Sequence, residues 1–175
     1  GAFKTIWANE FDSNAAKTYK ENFDNKLVVE DIHNLDHLSI PHADVLLAGF
    51  PCQAFSVAGY RKGFEDERGD LFFETLRIIK EKQPPVVFLE NVKNLVGHDN
   101  GNTFRVIYEA LEAHGYHIKY QVLNAKDYGN IPQNRERIYI VGFKNKESYK
   151  NFNFPKPVPL DTKLHDIIDF KNEVE

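Results

Sequence analysis

The stretch from Asp44 to Gln53, "DVLLAGFPCQ", places the only cysteine of the chain between a proline and a glutamine, directly after an apolar run. Val45–Ala48 shows no polar alternation, which is typical of a strand that is covered on both faces of a parallel sheet. Cys52 therefore follows the end of a buried strand and precedes a polar loop punctuated by glycines. From these residues alone two interpretations stay open, a small buried hydrophobic residue and a functional thiol.

Apolar strand patterns alternate with helical patterns along the chain. Strands are predicted at Thr5–Ala8, Leu27–Val29, Val45–Ala48, Val86–Leu89, Tyr120–Leu123 and Ile138–Val141. Helices are predicted after a cap at Asp12, over Phe72–Ile79 before Pro84, and from a cap at Asn102 to Gly115. This order predicts an α/β fold with a mainly parallel sheet, helices on both faces, and one antiparallel strand, because no helix pattern separates the last two strands.

Composition narrows the class of protein. A length of 175 residues fits one domain. A single cysteine excludes an internal disulfide and a cysteine-rich zinc site, and a lone thiol suits a reducing cytosol. The seven histidines form no cluster with metal-ligand spacing, so we expect no bound metal. The sequence has no long apolar run and no signal-peptide pattern, so we expect no membrane association. The net charge of −4 gives no broad basic surface, so nucleic-acid contacts would come from local clusters. The initial Gly1 and the lack of methionine indicate a piece of a longer protein.

Polar side chains follow four of the predicted strands where each strand ends. Glu10, Asp31, Cys52 and Glu90 come after separate apolar runs. Ligands bind open α/β sheets outside the carboxyl ends of the strands. We therefore expect these acids and the thiol to form one site at that edge.

Each group also has an ordinary structural interpretation. Glu90 would be a surface acid, although such acids rarely end a run of four apolar residues. Arg135 and Arg137 are two residues apart at a strand entry, so we expect them on one face, where ion pairs to Glu136 or another acid would also explain them. The charged loop from Gly59 to Asp70 would be a flexible connection or a mobile lid.

Five motif-like segments occur along the chain in the order "GFPCQAFSVAG", "GFEDERGDLFFE", "FLENVKNL", "HDNGNTF" and "LNAKDYGNIPQNRERIYIVGF". They resemble the successive motifs of the DNA (cytosine-5)-methyltransferases of bacterial restriction–modification systems. The resemblance covers about Gly1 to Pro157 and implies a Rossmann-like fold and a dependence on S-adenosylmethionine. It also implies a cytoplasmic, nucleoid-associated protein that binds double-stranded DNA with the cytosine flipped out of the helix. In addition, the loop from Ser56 to Asp70 resembles the mobile loop with which the family closes over flipped DNA.

The resemblance gives each catalytic residue a role. It implies that Cys52 adds to C6 of the cytosine, which activates C5 toward the methyl donor, and that Glu90 holds the edge of the base at N3 and the exocyclic amine. Arg137 would donate to O2 of the base, with Arg135 supporting the pocket. The resemblance also assigns Gln53, Ser56 and Asn91 to binding of the substrate.

The cofactor residues are likewise implied by the resemblance. Glu10 would accept from the two ribose hydroxyls, and Asp31 from the adenine amine. The adenine would lie between Phe11 and Ile32. Pro51 and Leu71 would line the methionine side.

The chain departs from the family pattern at both ends. It lacks the first strand with its glycine-rich turn, and it lacks the target-recognition segments that would follow. Residues 1–157 are therefore predicted to be a partial catalytic domain, and 158–175 an exit segment toward a recognition domain. On its own this piece is expected to be inactive and to self-associate through an exposed sheet edge.

Three other functions remain open. A tRNA cytosine-5 methyltransferase of the same family is one, although "GFPCQAFS" is of the bacterial DNA-modifying kind. A catalytically silent binding module is another. A cysteine hydrolase is the third, and it would need a histidine close to Cys52 in space.

Overall fold

The computed structural model describes residues 3–51 and 71–168. The strands are β1 (Trp7–Glu10), β2 (Lys26–Val29), β3 (Val45–Gly49), β4 (Val86–Val92), β5 (His117–Asn124) and β6 (Glu136–Phe143). The α-helices are α1 (Ser13–Asn22), α2 (Leu71–Lys82), α3 (Asn102–Ala113), α4 (Ala125–Tyr128) and α5 (Lys146–Asn151). Short 3₁₀ helices lie at His37–Ser39, Lys93–Val96, His98–Gly101 and Leu164–Asp166.

The first two strands form a parallel pair. β1 begins two residues later than predicted and continues to Glu10, because the Asn9 amide donates to the carbonyls of Val28 and Glu30 and extends the pairing toward the ends of both strands. The predicted cap of α1 is confirmed, since the Asp12 carboxylate accepts from two backbone N–H groups of the first turn. The helix buries Ala16, whereas Phe23, the residue that caps its C-terminal end, is 55% exposed.

The other four strands form a sheet in the order β3-β4-β6-β5. β3 and β4 are parallel, and β6 is antiparallel to both of its neighbours. The prediction of a mostly parallel sheet with one antiparallel strand is therefore confirmed. The chain can return directly from β5 to β6 because an antiparallel connection needs no long crossover.

The main core lies between this sheet and helices α2 and α3. Phe72 and Ile79 of α2 and Ile107 of α3 are fully buried in one cluster with the inward side chains of β4 and β6. In β4 the fully buried residues alternate, as Val87 and Leu89, which is the period of two that directs one set of side chains to one face. Burying each such side chain stabilises the fold by about 1.5–3 kcal/mol before entropy is counted.

A second apolar cluster joins the two sheets. Leu35, Ile40 and Ile78 are buried there, and Trp7 of β1 and Leu46 of β3 pack against them. The β1–β2 pair is therefore fixed to α2 and to β3 by side-chain packing.

Two predictions need correction. Among the described residues β3 is covered on one face only, because Leu47 points away from the core-facing Leu46 and Ala48 and is 72% exposed. Asn102 is the first residue of α3 rather than its cap, since Gly101 in the left-handed region precedes it. Gly115 ends that helix as predicted, with a φ of +81° that favours glycine.

The segment after β6 contains a helix that the sequence pattern did not predict, α5. Farther on, the backbone N–H of Val158 donates to Asp127, and the Asn130 side chain accepts from Asp161 and Thr162. These bonds fasten residues 158–162 to the turn between β5 and β6. The boundary at residue 157 stays a prediction.

Candidate active site

Glu90 and Arg137 form an ion pair at the edge where β4 leaves the sheet. Arg137 Nε donates to Glu90 Oε1 at 2.9 Å, and the two side chains are 21% and 34% exposed respectively. In the β4–β6 ladder Glu90 lies opposite Tyr139 and Val92 opposite Arg137, so the pair is a diagonal contact that two long side chains span. Arg137 also donates through Nη1 to the Glu136 carbonyl at 2.8 Å. The family resemblance assigns both residues to one site, and the register of the β4–β6 ladder puts their side chains in contact.

The end of β3 lies directly beside this pair. Gly49 is paired with Glu90, and a Cβ at Gly49 would come within 3.4 Å of Glu90 Oε2. The Asn91 amide, 2% exposed, donates to the Phe50 carbonyl at 2.8 Å and accepts from the Val92 N–H at 2.8 Å. Asn91 thus ties the end of β4 to the residue that precedes Pro51.

Arg135 lies outside the strand in which it was expected. β6 begins at Glu136, so the alternation along a strand does not set the direction of the Arg135 side chain, which is exposed. Its backbone instead joins a turn, because its N–H donates to Asn124 Oδ1 at 3.1 Å and its carbonyl accepts from the Ala125 N–H at 3.0 Å. The prediction that Arg135 lies in this strand is therefore wrong, and its placement on the same face as Arg137 stays a prediction.

Asn124 organises this turn and was not singled out from the sequence. Its amide nitrogen donates to Asn134 Oδ1 at 2.7 Å, and its oxygen accepts from the Lys126 N–H at the start of α4 as well as from Arg135. An asparagine directly before a short helix is a capping signal that could have drawn attention to it. The three bonds fix the backbone that leads into Arg137.

The two carboxylates assigned to the cofactor lie at neighbouring strand ends. Glu10 Oε1 accepts from the Asp12 N–H at 2.9 Å, and the Glu10 carbonyl accepts from the Glu30 N–H at 3.1 Å. Asp31 uses one oxygen, Oδ1, for both of its contacts, with the N–H of His33 at 2.9 Å and its ring Nδ1 at 2.6 Å. The backbone N–H of His33, followed by its ring, lowers the pKa of the Asp31 carboxyl below its ordinary value. The carboxylate is therefore ionised at neutral pH.

The apolar residues assigned to the cofactor differ in exposure. Phe11 follows Glu10 directly and is 73% exposed, so its ring is free to stack on a ligand. Ile32 is half-buried against the second apolar cluster. Pro51 is exposed, and Leu71 is half-buried as the first residue of α2.

Three of the predicted site residues, Cys52, Gln53 and Ser56, lie outside the described residues, as does the rest of the predicted lid up to Asp70. In residues 3–51 and 71–168 no group of three potential metal ligands is close enough to hold an ion. Within those same ranges no helix is long and apolar enough to cross a membrane.

The chain is similar to the members of one known protein family. Residues 1–174 match the family model described as C-5 cytosine-specific DNA methylase. The chain is 69% identical over 176 residues to the Type II methyltransferase M.Bsp6I of Bacillus sp. (strain RFL6), which covers 100% of this chain and 56% of that protein. It is 49% identical over 170 residues to the Type II methyltransferase M.HhaI of Haemophilus parahaemolyticus, covering 97% and 51%. The chain thus spans about half the length of the curated relatives it matches.

Solved structures agree on the fold. The chain superposes on a variant of Spodoptera frugiperda DNMT2 with a TM-score of 0.71 and 22% identity, over 98% of this chain and 54% of that one. It superposes on the methyltransferase EhMeth of Entamoeba histolytica with a TM-score of 0.70 and 21% identity, over 98% and 53%. At these identities the likeness establishes a methyltransferase fold and nothing finer.

Proposed function

Since this chain belongs to the C-5 cytosine-specific DNA methylase family, we propose that its protein transfers a methyl group from S-adenosylmethionine to C5 of cytosine in duplex DNA. The names of its Type II relatives support a role in protecting DNA within a restriction–modification system in the bacterial cytosol, at the nucleoid. The observation that carries the proposal is the Glu90–Arg137 pair, which lies beside the strand that leads to Pro51-Cys52.

The first chemical step belongs to Cys52. Cytosine C5 is a weak nucleophile, and addition of the Cys52 thiolate to C6 forms an S–C6 bond and moves electron density to C5. After C5 has gained the methyl group, loss of the C5 proton restores the C5–C6 double bond and expels the thiolate. A thiol suits both the addition and the elimination step, because it is a good nucleophile and an acceptable leaving group.

Glu90 and Arg137 would act on the opposite edge of the base. Glu90 would hydrogen-bond to N3 and the exocyclic amine, and sharing a proton toward N3 draws electron density from C6 and assists the thiolate. Arg137 already donates to Glu90 through Nε, so the pair is set before a base arrives, and its remaining donors would be directed to O2. The target base must leave the duplex to reach such a site, so base flipping is part of the proposal.

The described residues fit the adenosine part of S-adenosylmethionine. The Glu10 carboxylate suits two ribose hydroxyls. Among the described residues Asp31 uses only Oδ1 for its side-chain contacts, which leaves Oδ2 for the adenine amine. Phe11, largely exposed beside Glu10, offers a ring face to the adenine, with Ile32 opposite. When bound, the cofactor supplies an electrophilic methyl group. Pro51 and Leu71 would border its methionine end.

Self-association through the edge strand β3 is also proposed for this chain. Leu47 is 72% exposed on β3, and among the described residues β3 has a hydrogen-bonded ladder with β4 alone. A second copy could cover this edge. Light scattering across a concentration series should show a mass that rises with concentration, and Leu47→Lys should abolish the rise. A constant monomer mass would refute this part of the proposal.

Methyl transfer to defined substrates tests the activity. The full reading frame that encodes this chain should transfer labelled methyl groups from S-adenosylmethionine to duplex DNA, with 5-methylcytosine as the product. The 175-residue chain alone, with its net charge of −4, should label DNA poorly because it gains little from counterion release. Labelling of tRNA with none of DNA would instead establish the RNA-modifying alternative.

A further inference from the structure

Arg77 in the middle of α2 binds a segment that lies more than forty residues earlier in the chain. Its Nη2 donates to the Ile32 carbonyl at 3.0 Å, and its Nη1 to the Leu35 carbonyl at 3.3 Å and to Nδ1 of His37 at 2.7 Å. A guanidinium only donates, so His37 Nδ1 is the acceptor in this contact. Arg77 Nε and Nη2 also contact Glu74 Oε2, at 2.8 and 2.7 Å. The side chain thus connects a helix to the loop after β2.

This arrangement differs from an ordinary ion pair between neighbouring helical residues. The Arg77 and Glu74 side chains are 30% and 24% exposed, and the guanidinium donors that point away from Glu74 reach backbone carbonyls. Two more residues of α2 hold the same loop, since Lys82 donates to the Leu38 carbonyl at 3.1 Å and Ile78 packs in the apolar cluster beneath it. The loop is therefore fastened along the length of α2.

The loop in question, residues 31–38, begins with the two residues assigned to the adenine. Asp31 and Ile32 follow β2, whose only ladder partner among the described strands is β1. Within the described residues no backbone ladder joins the β1–β2 pair to the sheet that carries Glu90. The separation between the adenine end of the site and the base end is then set by side-chain contacts, which are the packing of Trp7 and Leu46 in the second apolar cluster and the contacts through α2. Helix α2 begins at Leu71 on the methionine side.

We propose that Arg77 is a positioning residue that holds the adenine end of the cofactor site in place. This inference rests on the proposed use of S-adenosylmethionine. The planar guanidinium donates in two directions at once, to Glu74 and to the carbonyls of Ile32 and Leu35. A lysine keeps the charge but has one compact donor group, so it cannot satisfy both sides.

Arg77→Lys in the full reading frame tests the proposal. Calorimetric titration with S-adenosylhomocysteine, and separately with adenosine, should show both affinities reduced about 10-fold, the loss typical of a hydrogen bond to a charged group. Turnover at saturating S-adenosylmethionine should stay within about twofold, because the base end of the site is intact. Arg105→Lys is the matched control, since Arg105 pairs with Glu109 at 3.1 Å on the exposed face of α3.

The outcomes separate the two proposals. If the wild-type protein binds no S-adenosylhomocysteine, the proposed function is wrong. If the wild type binds and Arg77→Lys binds equally well, the positioning role is refuted. A fall in turnover as large as the fall in affinity would also refute it. Should Arg77→Lys not fold, Glu74→Gln is the second variant, and it should weaken adenosine binding in the same direction by removing the anchor of the guanidinium.

Discussion

Substitution of Glu90 by glutamine separates a catalytic carboxylate from a structural one. Glutamine keeps the shape of the side chain and can still accept a hydrogen bond from Arg137, so only the charge and the proton are lost. The pair is partly solvated, with side chains 21% and 34% exposed, so it contributes less than about 1 kcal/mol to stability. For a domain of this size the melting temperature should therefore fall by no more than about 4 °C.

Catalysis should respond far more strongly than stability. Removing a positioned acid–base group costs a factor of about 10² to 10⁴, so turnover of Glu90→Gln at saturating cofactor should fall by that amount. Affinity for S-adenosylhomocysteine should be nearly unchanged, because the proposed role of Glu90 is to act on the base. Methyl transfer to duplex DNA, thermal denaturation and calorimetric titration of the full reading frame measure the three quantities.

A matched control lies at the start of β6. Glu136 pairs with Lys93 at 2.9 Å, and those side chains are 41% and 53% exposed, so Glu136→Gln makes the same chemical change in a comparable ion pair. Its turnover should stay within about twofold of the wild type, since exposed pairs contribute little. If Glu90→Gln retains as much activity as Glu136→Gln, Glu90 is not catalytic. A large loss of cofactor affinity would instead place it in the cofactor site.

Three further substitutions test the support of the site. Asn91→Leu should lower stability by about 2–5 kcal/mol in denaturant titration, because the buried Phe50 carbonyl and the partly buried Val92 N–H lose their partners; a loss below that range would contradict the described bonds. Gly142→Ala should lower the free energy of unfolding by about 1–3 kcal/mol, since the new Cβ would lie 2.7 Å from Val87 Cγ2. Gly97→Ala is the control and should leave that free energy unchanged, because nothing lies within 4 Å of its new Cβ. Equal effects of the two substitutions would refute the packing. Asn124→Ala should reduce turnover while leaving S-adenosylhomocysteine affinity intact, and an unaltered turnover would exclude a role for this turn.

The sequence predicted those parts of the fold that depend on local pattern. Asp12 is a cap because its short carboxylate reaches the first free N–H groups of α1, and that signal is contained in neighbouring residues. The absence of a long helix between β5 and β6 likewise predicted their antiparallel pairing. The boundaries of β1 differ from the predicted ones because the Asn9 side chain extends the strand to Glu10. Its amide donates to the carbonyls of Val28 in β2 and of Glu30 directly after β2.

Contacts between distant segments could not be predicted in the same way. Which residue of β6 faces Glu90 depends on the register of the ladder, which places Arg137 diagonally across from it. Arg77 has the sequence environment of an ordinary helix-surface arginine beside Glu74. Its other partners are two backbone carbonyls, which carry no residue-specific signal, and the ring of His37, which lies forty residues earlier in the chain. The resemblance to a known family supplied the roles of Cys52 and Glu90, which periodicity alone left open.

The central claim is that Cys52 attacks the cytosine ring, and covalent trapping tests it most directly. The full reading frame is incubated with S-adenosylmethionine and duplex DNA that contains 5-fluorocytosine at the target position, where fluorine replaces the proton whose loss would release the thiolate. The wild-type protein should give a complex that survives denaturing electrophoresis. Cys52→Ser should give none, because a hydroxyl ionises far less readily than a thiol near neutral pH. Equal amounts of the denaturation-resistant complex from both proteins would contradict the account.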